Sequence, residues 1–310
     1  MQPSDHHPFR SAEARRQYLA SYDQRAQRWP VACETRMVET SFGRTFVRTS
    51  GPVGAPPLVL LHGAMTNSLM WEPFIEALSA CCRTYAVDGQ WDIGRSVYTR
   101  PLRGPDDYVS WLHELFTALS PGAPVSLVGI SLGAWQSCLY ALRYPDRVAK
   151  MVVLSLAGVV LRLRWMFMFR TILSALSRGL QRSYRYWMFG DSMRKGGTSR
   201  RLVEEITDDG YLAMRILLRG KIVNPRVFTD PELQSLQMPI LYLVSEHERI
   251  YSPRKAVQRL NRVAPGIKTE IIPQVGHDMM AQAELVSRKA VEFQAVLRQS
   301  PQYTEEDRRT

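Results

Sequence analysis

Cysteine is scarce: there are four in 310 residues, with Cys81 and Cys82 adjacent. This spacing supplies neither a disulfide framework nor a metal site, so Cys33, Cys81, Cys82 and Cys138 are expected to be core thiols. Long hydrophobic runs are missing as well. No stretch reaches the roughly 18 apolar residues of a membrane span, because Arg162, Arg164 and Arg170 interrupt the strongest candidate. The opening MQPSDHHPFRSAEARRQYLA lacks the apolar centre of a secretory signal, and cytoplasmic residence is expected. Acids are few, 29 Asp and Glu against 40 Lys and Arg, which leaves a net charge of +11. That balance admits nucleic acid, acidic lipid or an anionic substrate as partner. What is present is ordinary for a folded chain: 45% hydrophobic and 22% charged residues exclude disorder, and the length suits one α/β domain with an insertion.

Ala14, Tyr18, Tyr22, Ala26 and Trp29 recur at helical spacing and predict a helix covering one edge of the body. Residues 35–40 and 44–50 read as a hairpin. PLVLL at 57–61 is apolar without alternation, as a strand covered on both faces must be. From there strand and helix patterns alternate through VSLVGIS, MVVLSL, PILYLVS and TEIIP to a closing helix marked by Val286, Ala290, Phe293 and Leu297. Such alternation predicts an α/β fold with a mostly parallel, doubly wound sheet. Between 158 and 228 the pattern is helical without strands. The expected organisation is an N-terminal helical extension (1–34), a core (35–157 and 229–298), a helical cap insertion (158–228) and a polar tail (299–310).

Candidate chemistry begins at VSLVGISLG, where Gly129, Ser131 and Gly133 form G-x-S-x-G between a strand and a helix. A sharp strand-to-helix turn crowds the backbone on both sides of the serine, and flanking glycines relieve that crowding. Ser131 is then presented at the carboxyl end of the sheet, where open α/β folds bind ligands. A serine hydroxyl needs a base to take its proton. Of six histidines, His277 alone follows a late strand in a loop able to reach over the sheet, whereas His113 falls off the apolar face of its helix and is expected to be solvated. The third partner is a carboxylate that fixes the imidazole tautomer. After the strand ending at Val244 the loop offers Glu246 and Glu248, and either could serve.

These pieces, HGAMTNS at His62, VDGQWDIGRS at Val87, GISLGAW at Gly129, SEHERIYSP at Ser245 and QVGHDM at Gln274, make residues 35–297 resemble the α/β-hydrolase superfamily, in particular bacterial carboxylesterase-like members with a helical cap. The resemblance implies an α/β-hydrolase fold and a triad of Ser131, His277 and Glu248, the acid falling three residues after Ser245, with Glu246 in reserve. Family members more often carry Asp at the acid and Gly in place of Ser245. The resemblance also implies that the Ala64 and Leu132 N–H groups form the oxyanion hole, with His62 structural. VDGQWDIGRS departs from the commoner Asp-x-x-Gly-x-Gly-x-Ser form by added residues around Trp91.

The expected activity is serine hydrolysis of a small-molecule carboxylic ester, thioester or lactone through an acyl-enzyme, with no metal or cofactor required. Alternatives are C–C bond hydrolysis or acyl transfer by the same triad, or a slow-turnover ligand-binding protein. Residues 158–228 carry fourteen Lys and Arg against five acids, so nine of the eleven excess charges belong to the cap. No nucleic-acid motif accompanies them, and nucleic acid is not an expected partner. Trp165, Phe169, Ile172, Leu173 and Leu176 share one helical face, opposite Arg164, Arg170, Ser174 and Arg178, with Phe167 on the polar side. The leading expectation is that the apolar face roofs the active site. Two others are contact of the basic cap with an anionic membrane surface to collect lipid-like esters, and inward arginines that bind an acidic acyl group.

Overall fold

A computed structural model describes residues 9–120, 122–216, 223 and 225–295 of the chain. After helix α1 (Ala12–Ala26), strands β1 (Cys33–Thr40) and β2 (Gly43–Ser50) form the expected antiparallel hairpin, with Cys33 opposite Ser50 and Thr40 opposite Gly43. Strand β3 (Pro57–Leu61) leads through α2 (Glu72–Cys81) to β4 (Arg83–Val87), and the short β5 (Val97–Tyr98) pairs with β2. Helix α3 (Pro105–Leu119), β6 (Val125–Ile130), α4 (Leu132–Arg143) and β7 (Val148–Leu154) continue the alternation.

Four helices follow without an intervening strand: α5 (Trp165–Ser174), α6 (Arg178–Met188), α7 (Gly190–Lys195) and α8 (Gly197–Ile216). The short α9 (Asp230–Gln234) precedes β8 (Ile240–Ser245), α10 (Pro253–Val263), β9 (Lys268–Ile272) and α11 (Ala283–Ala295). The strand order is β1-β2-β4-β3-β6-β7-β8-β9, antiparallel as far as β4 and parallel from β4 to β9.

Period-2 alternation sends successive side chains of the central strands into two separate cores. Val59 and Leu61 join Trp111, Trp135 and Leu260 on the face covered by α3, α4 and α10. Leu58 and Leu60 join Tyr22, Phe74 and Val286 on the face covered by α1, α2 and α11. Both faces of β3, β6 and β8 are thereby covered, which is why these strands read as unbroken apolar runs.

Three expectations need correction. Helix α1 covers a face of the sheet, because its tyrosines are buried and reach inward: Asn67 Nδ2 donates to Tyr18 Oη at 3.1 Å and Tyr22 Oη donates to Asp88 at 3.3 Å. His113 is half-buried and stacked on Tyr144, with ring centroids 4.1 Å apart. Cys82 and Cys138 are core thiols, whereas Cys33 at the start of edge strand β1 is exposed and Cys81 half-buried. Leu297, the tail from 299 onward and the cap residues Arg215, Arg219 and Lys221 lie outside the described residues or side chains.

Candidate active site

Ser131 stands between β6 and α4 with φ 54° and ψ −110°, a backbone conformation an L-residue adopts only when its surroundings impose it. The glycines are obligatory for a measurable reason. A Cβ on Gly133 would sit 2.1 Å from the Leu61 carbonyl oxygen, and one on Gly129 would sit 2.6 Å from the Gly133 carbonyl carbon. The Ser131 N–H donates to Leu154 O at 2.9 Å and ties the turn to β7.

His277 lies in the loop after β9. Its Nδ1 meets Glu248 Oε2 at 2.8 Å, and the Glu248 side chain is fully buried. The glutamate also accepts from Ile250 N–H at 3.0 Å and from the Ser245 hydroxyl at 3.2 Å, and Ser155 Oγ donates onward to Ser245 Oγ at 3.4 Å. Burial alone would push the Glu248 carboxyl up, but His277 and these donors outweigh it and hold the group below the usual carboxylate range. Engaging Nδ1 leaves Nε2 for the cavity side. Glu246 points elsewhere: it accepts from the Gln274 N–H at 2.9 Å and does not meet His277. Of the two candidate acids, the structure brings Glu248 and not Glu246 to the imidazole.

Ser131, Ala64 and His277 line one cavity of about 220 Å³, between the carboxyl end of the sheet and helices α5, α6 and α8. Leu132 borders a separate small recess with His62 and Trp91, and its N–H opens the first turn of α4, where helical geometry leaves no intrahelical acceptor. Neither the Ala64 nor the Leu132 N–H is used by another group among the described residues. The loop carrying Ala64 is held by His62, whose Nε2 accepts the Gly89 N–H at 2.7 Å, leaving Nδ1 to donate to Gly63 O at 2.8 Å. Thr66 Oγ1 donates to the same oxygen at 2.7 Å.

The segment around Trp91 now has a physical account. Asp92 accepts the Met65 N–H at 2.9 Å and the Ile93 N–H at 2.8 Å, so the added residues anchor the Ala64 loop from outside. Burial pushes the Asp92 carboxyl up to about 6 against the opposing pull of His62. Trp91 inserts edge-on against Tyr108 and Trp111 at 5.3 and 6.0 Å, which holds the segment to the body.

Sequence reasoning missed Asp278. It is buried beside His277, lines the cavity, and has its carboxyl pushed up to about 6 by burial. Its only signal was an acid directly after the histidine.

The orientation of α5 reverses the expectation for the apolar face. Phe167, Thr171 and Ser174 line the cavity, whereas Trp165, Phe169, Ile172 and Leu176 are 71%, 51%, 65% and 69% exposed. The supposedly polar side can face an apolar cavity because its hydroxyls are satisfied within the helix: Thr171 Oγ1 donates to Phe167 O at 2.8 Å and Ser174 Oγ to Thr171 O at 2.7 Å. No Lys or Arg lines the cavity among the described residues.

A strained serine between glycines at the carboxyl end of a doubly wound sheet, sharing a cavity with a histidine–carboxylate pair, defines an alpha/beta hydrolase, and the family model of that description matches residues 58–289. The chain belongs to the alpha/beta hydrolase family. It is similar to Carboxylesterase YbfK of Bacillus subtilis, 34% identical over 92% of this chain and 96% of that one. It is also similar to the uncharacterized carboxylesterase nap of the same organism, 35% identical over 89% of this chain and 91% of that one. The crystal structure of naproxen esterase from Bacillus subtilis superimposes with a TM-score of 0.82 at 33% identity, over 91% of this chain and 99% of that chain.

Proposed function

We propose that the chain is an ester-hydrolysing alpha/beta hydrolase, a carboxylesterase, acting on small-molecule esters through Ser131, His277 and Glu248. In this reading Ser131 Oγ attacks the ester carbonyl as His277 Nε2 takes its proton. The tetrahedral oxyanion is held by the Ala64 and Leu132 N–H groups, each worth about 3 kcal/mol in such a transition state. His277 then returns the proton to the departing alcohol. Water, activated by the same imidazole, releases the acid and frees the serine. Glu248 keeps Nδ1 protonated and stabilises the imidazolium.

The observation that carries this reading is the buried His277–Glu248 contact at 2.8 Å beside a cavity that Ser131 also lines. The named carboxylesterase relatives support the choice of ester over other acyl bonds. Residues 158–228 are read as a cap whose helices shape the acyl site. Lined by Met65, Phe167, Met188 and Ile206 without a Lys or Arg among the described residues, that site suits a neutral, lipid-like acyl group better than an acidic one. Cytoplasmic residence belongs to the same reading.

A fluorophosphonate probe tests the mechanism. Rapid labelling that disappears in Ser131→Ala, with kcat falling at least about ten-thousand-fold, is expected. A protein that never labels overturns it. Glu248→Gln should lower kcat by about a thousandfold or more, because the imidazole loses the partner that sets its tautomer, whereas Glu246→Gln should leave it within about twofold.

A further inference from the structure

The outward face of α5 is unusual for a surface helix. Trp165, Phe169, Ile172 and Leu176 form one exposed row, extended onto α6 by Leu180 at 40% exposure. Contiguous apolar surface of this kind marks a place of contact, unlike single exposed residues. Its surroundings are cationic. From 158 to 190 the sequence holds six arginines and no Asp or Glu.

Some of those arginines are occupied. Arg178 and Arg185 pair with Asp208 at 3.0 and 2.8 Å, and Arg170 lies over the Trp187 ring at 4.9 Å. Arg162, Arg164 and Arg182 are exposed without a carboxylate partner among the described residues. Two flank Trp165 at the start of the row and the third flanks Leu180 at its far end.

We propose that this face of the α5–α6 pair docks onto an anionic lipid bilayer, with the Trp165, Phe169, Ile172 and Leu176 side chains at the acyl boundary and Arg162, Arg164 and Arg182 among acidic headgroups. An apolar stripe with an aromatic anchor and long cationic side chains at its margins is the composition of a helix lying in a membrane interface. Charge complementarity selects this occupant over a second copy. A two-fold contact would bring together two copies of the same cationic face, whose own sequence from 158 to 190 holds no Asp or Glu to pair with those arginines.

Docking in this orientation has a consequence for the cavity. Phe167, Thr171 and Ser174 on the opposite side of α5 line it, so one helix separates bound lipid from Ser131. The inference goes beyond the esterase reading, because bilayer binding is measured without turnover.

The test is co-sedimentation of the full chain with vesicles of phosphatidylcholine and with a two-to-one mixture of phosphatidylcholine and phosphatidylserine. Binding to the mixture, weak binding to phosphatidylcholine alone, and release by added salt are expected. Arg162→Gln with Arg164→Gln should weaken the partition by about fivefold per charge. Ile172→Glu should abolish it, and turnover of a water-soluble ester by the same variants should stay within about twofold of the parent, which shows that they fold. Equal binding to both vesicles, binding to neither, or undiminished binding by Ile172→Glu overturns the proposal. So does a dimer in lipid-free buffer that Ile172→Glu converts to monomer, since a second copy would then own the face. Absent turnover of the soluble ester by the parent chain would count against the esterase reading alone.

Discussion

Asp278 is a carboxyl group held in a site that suits its neutral form. Burial pushes it up to about 6 although His277 and Ser192 beside it pull the other way, with Asp191 adding a smaller push upward. The unfolded chain would ionise it near the usual value for Asp. A raised folded pKa means that its favourable contribution is complete below that usual value and is lost as the pH rises through about 6. Two units correspond to about 3 kcal/mol. Asp278→Asn should therefore match the parent near pH 3.5, gain on it between pH 4 and 6, and be more stable by up to about 3 kcal/mol above pH 7. Urea midpoints across that range measure it, and a constant gap between the two proteins would refute it. Ser131 and His277 could be found in the sequence because each sits at a fixed offset from a strand end. Asp278 could not, because its property comes from the helical insertion folding over it.

At the scale of elements, the loop that carries Ala64 is supported from both sides. Asp92 accepts the Met65 N–H, and Tyr22 of α1 reaches Asp88, which accepts the Ser68 N–H at 2.8 Å. Asp92→Ala should leave the fold intact, because Trp91 still anchors the segment. It should lower kcat by about ten- to a hundredfold with KM little changed, since small displacements of a transition-state donor are felt mainly in the chemical step. Steady-state kinetics on a soluble ester separates the two parameters, and a change confined to KM would show that Asp92 acts on binding instead. The same scale shows what the sequence can and cannot reveal. Strands β3, β6 and β8 were legible because burial on both faces forces an unbroken apolar run. The facing of α5 was not. A helical wheel assumes that the apolar side meets the body, but here Thr171 and Ser174 return their hydroxyls to their own helix and become suitable lining for an apolar cavity.

For the molecule as a whole, ion pairs fasten α8 of the helical insertion to the body. Arg25 of α1 pairs with Asp209 at 2.5 Å, Arg28 pairs with Glu205 at 2.5 Å, and Arg201 pairs with Glu72 of α2 at 2.5 Å. Most of the excess charge was legible as a property of residues 158–228, but these three pairs were not, because their partners lie more than a hundred residues apart in the sequence. Arg25 and Asp209 are both buried, so removing either leaves an uncompensated charge. Arg25→Met or Asp209→Leu alone should cost about 3 kcal/mol, and the double variant should recover most of that. Denaturant midpoints for the four proteins close the cycle, and additive losses would mean that the pair is not coupled.

The contact at Gly133 reaches beyond catalysis. With the Leu61 oxygen only 2.1 Å from where a Cβ would stand, no other residue fits, and the amino end of α4 is keyed to the end of β3. Nucleophile and oxyanion loop are thus one rigid piece that mutation can break but hardly adjust. Variation that retunes this protein for a new substrate has to enter elsewhere, and α5, α6 and α8 line the cavity without belonging to that piece. The fold separates a part that is closed to sequence drift from a part that is open to it, and directed evolution of substrate range should accumulate its changes in 158–228.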